Sequence, residues 1–147
     1  MNDSAGISSP AASAQAVSSE TAFVLAADDA RLLTEVGFLA AGAGDVARAE
    51  SIFKALRRMR PVAAYPLVGL AVAWMNAGRA PEAVTLLESA TISDPAERAL
   101  LDACRGFALQ LSGRNGESRR LLETVARGEG DGPALARGLL GLPREGA

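Results

Sequence analysis

Gly44 recurs at Gly78, Ala49 at Ala83, Phe53 at Leu87 and Pro61 at Pro95, each 34 residues further along. A third copy follows at an interval of 35, with Gly78 recurring at Gly113 and Ala71 at Gly106. A period of this length is one helix-turn-helix pair, and such pairs cannot bury their apolar faces alone. They must stack, so the period predicts a solenoid whose units touch mainly their neighbours.

The residues between the repeat marks support helices. From Glu20 to Ala43, Leu32, Leu33, Val36, Leu39 and Ala40 fall on one face of a 3.6-residue period. Thr21–Ala27 reads as a short preceding helix, and Asp28 and Asp29 are placed to cap or open the next. Asp45 is an N-cap for a helix striped by Ala49, Ile52, Phe53, Leu56 and Met59; Arg57, Arg58, Arg60 and Pro61 end it. The second pair covers about 63–77 (Leu67, Leu70, Ala71 and Trp74 inward) and 81–92 (Ala83, Leu86, Leu87 and Ala90 inward), with Ser93-Asp94-Pro95 as turn and cap. The third opens with a longer helix, about 95–111, striped by Leu101, Cys104, Ala108 and Leu111. Leu121, Leu122 and Val125 mark its partner. A loop over 128–132 then leads to a terminal helix over 133–140.

Residues 1–19 are Ser, Ala, Gly and Pro with almost no large apolar side chains, and read as a disordered tail. The expected organisation is therefore that tail, a helical domain over 20–140 with repeats at about 30–62, 63–95 and 96–130 and a cap at 133–140, and a frayed end at 141–147. The expected fold class is all-α.

Composition narrows the function. Net charge is −2, which offers no electrostatic case for nucleic acid or an anionic membrane. There is no His, so the usual proton shuttle and commonest metal ligand are missing. The single Cys104 has no base to activate it, and reads as a buried apolar side chain. The glycines of 42–44 and 113–116 lack the Gly-Lys-Ser/Thr of a phosphate loop and read as turns. No run approaches the ~20 apolar residues of a membrane span, and the Met-Asn-Asp-Ser start lacks the basic opening of a secretory signal. The expectation is a cytoplasmic, non-enzymatic protein with no cofactor and no catalytic or metal site.

The pattern of Leu33, Val36-Gly37, Ala40, Ala49, Phe53 and Pro61, and of Leu67, Leu70-Ala71, Trp74, Ala83, Leu87 and Pro95, resembles tetratricopeptide repeats with most large aromatics replaced. The resemblance covers about 30–128 and implies a right-handed superhelix of about three helix pairs plus a terminal capping helix. A narrower resemblance is to chaperones of bacterial type III secretion. The end 130–140 looks like the needle-subunit group, which implies a small helical co-chaperone. The segment 49–70 looks equally like the translocator group.

Either way the partner implied is a helical polypeptide client. In stacked pairs the first helices line the concave face. The residues flanking their buried stripe are Arg31, Thr34, Phe38 and Ala41, then Tyr65, Val68, Val72 and Met75, then Leu100, Ala103, Phe107 and Gln110. Phe38, Tyr65, Val68, Val72, Met75, Leu100 and Phe107 form the candidate partner site. It is apolar and lacks a basic cluster to clamp a carboxylate, so it suits the stripe of an amphipathic helix. Two alternatives stay open: these residues belong to the core, or the chain is an adaptor joining folded partners. Monomer and homodimer are both compatible with the sequence.

Overall fold

The computed structural model describes residues 29–143. The readings of 1–19 as a tail and of Thr21–Ala27 as a helix lie outside the described residues, as do 144–147 of the frayed end. The chain divides into units 1–33 and 34–147, and the described part of the first is the opening of one helix.

Helices account for the described residues, which include no strand: α1 over 29–42, α2 Val46–Met59, α3 Tyr65–Asn76, α4 Ala80–Glu88, α5 Pro95–Leu111, α6 Asn115–Val125 and α7 Asp131–Leu139. The fold is all-α and tetratricopeptide-like. None of these helices is long and apolar enough to cross a membrane.

Local chemistry sets the helix ends. The Asp45 carboxylate accepts from the Arg48 N–H at 3.3 Å and opens α2. Asp94 accepts from the Glu97 N–H at 3.0 Å and opens α5, with Pro95 at the first position where no donor is needed. The first helices close identically. Asp45, Arg79 and Arg114 each donate a backbone N–H five residues back, to Ala40, Trp74 and Leu109 at 2.8–2.9 Å. This Schellman closure needs a left-handed residue, supplied by Gly78 and Gly113 at φ 76° and 79°. The α7 end repeats it: the Leu142 N–H donates to Arg137 at 2.9 Å. By this mark α7 is a first helix, and it begins two residues earlier than its sequence pattern suggests because Asp131 and Gly132 are already helical.

Packing follows the period. Phe53 of α2 is fully buried, and its ring fills the space left by two glycines. A Cβ on Gly37 would lie 2.8 Å from the Phe53 Cζ, and one on Gly69 would overlap the same ring. One repeat on, the equivalent of Phe53 is Leu87, and the equivalents of the glycines are Ala71 and Cys104; all three are buried in one core cluster. The larger ring meets the smaller neighbours, so volume is conserved at each interface. In the third copy a Cβ on Gly106 would overlap Leu122, and Ser118 stands where Ala49 and Ala83 stood. Ser118 is fully buried, and its hydroxyl donates to the Gly106 carbonyl at 2.7 Å, which makes the polar side chain tolerable there.

Three sequence expectations are corrected. Leu32, Val36 and Leu39 are not core: Leu39 is 73% exposed. Their equivalents in α3, Pro66, Leu70 and Ala73, are buried, and α2 is the helix that precedes and packs on α3. Among the described residues no helix plays that part for α1. Trp74 is only half buried; its indole N–H donates to the Glu50 carboxylate and the Arg79 guanidinium stacks 4.9 Å from its ring. That indole contact, with Arg79 bonded to the same oxygen, holds the Glu50 carboxyl below the ordinary carboxylate range. Leu111 is exposed at the end of α5.

Candidate functional site

The inner side of the stack is identified by which helices touch. α3 packs on α5 and α5 on α7, while no comparable contact joins α2 to α4 or α4 to α6. First helices therefore approach one another, whereas second helices do not. Side-chain bonds pin this arrangement from both ends. The Ala64 N–H donates to the Glu97 carboxylate, and the Asn76 amide donates to the Ala41 carbonyl at 2.8 Å.

The interval of 34 and then 35 residues puts Phe38, Val72 and Phe107 in one register row across α1, α3 and α5. Phe38 and Phe107 are each 38% exposed, and Val72 is half buried against the core. The Phe38 ring rests edge-on against Phe53, with centroids 5.0 Å apart, so its position is set by the core ring beneath it. The neighbouring row, Thr34, Val68 and Ala103, diverges. Val68 is half buried, but Ala103 is fully buried with Leu122 and Ala136 under α7. Tyr65 and Leu100, near the helix starts, are half buried. The third row, Ala41, Met75 and Gln110, is withdrawn from the surface: Ala41 is fully buried and Met75 only 8% exposed, within the core cluster. The Gln110 amide points to the Leu139 carbonyl at 3.5 Å.

Phe38, Tyr65, Val68, Val72, Leu100 and Phe107 are thus each partly uncovered at recurring register positions of the first helices, whereas Met75 belongs to the core. No local residue pattern marks Ala103 for cover by α7. The cause is Gly132, where a Cβ would stand 2.5 Å from the Ala99 and Leu100 backbone. That missing side chain lets α7 lie directly on α5. Leu111, 52% exposed, adds apolar surface one residue past Gln110.

Among the described residues no group of three or more His, Cys, Asp or Glu side chains could hold a metal ion. Burial pushes the Cys104 thiol up to about 12, so it stays protonated and non-nucleophilic at neutral pH. We expect maleimide to label Cys104 at pH 7.5 only at the rate at which the core opens, and mild denaturant to accelerate labelling in step with unfolding followed by circular dichroism. Rapid labelling of the folded protein would place the thiol at the surface.

Residues 40–105 match the family described as tetratricopeptide repeat. No curated protein and no solved structure matches the chain. The matched span runs from the end of α1 to the middle of α5, so it contains the complete second pair and its junctions on both sides. Repeats of this kind are protein–protein interaction modules, and their inner surface is the usual contact face.

Proposed function

We propose that this chain is a stoichiometric chaperone that holds an amphipathic helix of another polypeptide on the inner side of its first helices. The observation that carries the reading is the register row Phe38, Val72 and Phe107, apolar in all three copies and half uncovered. Phe38 and Val72 also pack on the core, but the surface that they and Phe107 leave uncovered gains nothing from folding alone. A partner helix laying Leu or Ile at i, i+3 and i+7 across the row removes that surface from water. Six half-covered side chains offer about 1 kcal/mol each, roughly half the gain of full burial. Ordering the client consumes part of this, so the complex is reversible, as a chaperone requires.

The client class follows from the sequence resemblances: a needle or translocator subunit of type III secretion, kept from assembling in the cytoplasm, with a small helical co-chaperone in the needle case. The matched repeat also supports a coarser reading, an adaptor that joins folded partners. Identification of the polypeptide that co-purifies from the native host separates the two. A chaperone carries a small, self-assembling helical subunit at fixed stoichiometry, whereas an adaptor carries folded proteins.

Affinity for the identified client then tests the site. We expect Val72→Lys with Phe107→Lys to weaken binding by at least about tenfold with the fold intact, because long stems let the ammonium groups reach water from half-buried positions. Met75→Lys, by contrast, should unfold the protein, since its side chain is in the core. Full binding by the folded double variant ends the inner-band reading.

A further inference from the structure

The stack has one edge formed by the links between pairs: 60–64, 89–94 and 126–130. The bond from Ala64 to Glu97 draws the α3 and α5 starts together along it. Equivalent positions on this edge differ in charge. Arg57, Arg58 and Arg60 correspond in the second copy to Thr91, Ile92 and Asp94, and in the third to Ala126, Arg127 and Glu129. Arg48, Arg79, Arg98 and Arg114 all have carboxylate partners, but Arg57, Arg58 and Arg60 enter no ion pair or side-chain hydrogen bond among the described residues. Between and beside them, Met59 is 42% and Val62 78% exposed. This corner is both basic and apolar.

The other half of the same edge is its complement. A cleft of about 610 Å³ lies between the start of α5, the end of α6 and the start of α7. Pro95, Ala96, Val125 and Pro133 give it apolar walls, and its charged lining is Asp102, Glu129 and Arg98. One Asp102 oxygen meets Arg98 at 3.3 Å and the other faces Arg105 at 4.0 Å, so this carboxylate is already paired within the chain and the uncompensated acid of the cleft is at its rim. Glu129, Asp94 at the cap of α5 and Asp131 at the first position of α7 form no ion pair among the described residues. Arg127 offsets part of this charge, and Arg137 is engaged by the Ala126 and Gly128 carbonyls at 2.8 and 3.0 Å.

We propose that two copies of this chain pair edge to edge and antiparallel, with the Arg57–Val62 corner of each against the α5–α7 cleft of the other. A basic-apolar patch and an acidic-apolar cleft on one edge are self-complementary only when the second copy is reversed. The twofold contact is then made twice and closes on itself. Met59 and Val62 supply the apolar surface, and the charge pattern sets orientation and excludes the parallel arrangement, which would oppose arginine to arginine. This edge is distinct from the row of Phe38, Val72 and Phe107, so the pairing stands or falls apart from the chaperone reading.

Sedimentation velocity on the full chain, over a concentration series at low and high salt, is the test. We expect a concentration-dependent dimer that weakens as salt screens the edge charges. Arg58→Glu with Arg60→Glu, and separately Glu129→Arg with Asp131→Arg, should each weaken it by at least about tenfold, the scale of a central interface contact. Mixing the two variants should restore the dimer, because the reversed charges then meet correctly at both contacts. Val62→Asp, outside any helix, should weaken it without a folding defect. A chain that stays monomeric throughout overturns the proposal. So does a dimer indifferent to these changes, or a mixture that fails to recover. An arginine corner that captures an acidic protein or an anionic vesicle while the chain remains monomeric overturns it as well.

Discussion

Phe53→Ala is expected to lower the unfolding free energy by about 3–5 kcal/mol, the cost of truncating a fully buried aromatic side chain. The figure belongs at the upper end here. The ring sits against Gly37 and Gly69, whose backbones have no side chains to move into the vacated space. Phe38 also loses the ring that supports it. Total stability of a domain is about 5–15 kcal/mol, so the variant should be substantially unfolded at physiological temperature. Urea denaturation followed by far-ultraviolet circular dichroism reads the loss. A companion measurement isolates the packing argument. Gly69→Ala alone should destabilise because its Cβ overlaps the ring, and combining it with Phe53→Leu should recover part of the loss, as the second copy does with Leu87 opposite larger neighbours. Additive losses in the pair would mean that ring and glycine do not share the space.

Gly132→Val is expected to dislodge α7 from α5. The atoms a Cβ would meet at 2.5 Å are backbone atoms of Ala99 and Leu100, inside a helix that cannot yield as a flexible side chain would. Overpacking of this kind costs about 1–3 kcal/mol when the structure can adjust; here the adjustment is displacement of the last described helix, which is otherwise held by α6 and by the Arg137 bonds to the Ala126 and Gly128 carbonyls. We therefore expect hydrogen exchange to accelerate across 131–139 and around Ala103 and Leu122, with α2 to α4 unchanged. Gly138→Ala is the control. Its Cβ would meet nothing within 4 Å, so the helix should gain slightly from the better helix former. Equal protection in Gly132→Val and the parent would mean that α7 does not depend on this close approach.

The elements most legible before the structure were those with their own stop signals. Asp94 and Pro95 before α5 and Gly113 after it delimit that helix without reference to any neighbour. Helix α4 ends at Glu88, short of the 92 suggested by Leu86, Leu87 and Ala90, because an apolar period continues into a linker whose Ile92 is buried anyway. Burial was less legible than helicity. Val36 and Leu70 occupy the same register in successive copies, yet one is exposed and the other buried, since of the two helices only α3 has a preceding helix against it among the described residues. Ser118 is a polar side chain in the core, and it is tolerated there because its hydroxyl donates to the Gly106 carbonyl. In the candidate site, apolar type and register were readable, but Met75 and Phe107 could not be told apart, one in the core and one half exposed.

The order of helices, their turns and the spacing of one pair from the next are local matters: caps, left-handed glycines and a repeat interval act within a few residues of chain, so the amino acids alone carried them. Which side of each helix stays in water depends on what lies across from it, and that is a property of neighbours far along the chain. Only the packed arrangement decided that Ala103 disappears beneath α7, that Val72 stays half uncovered, and that an unpaired basic corner and an acidic cleft share one edge.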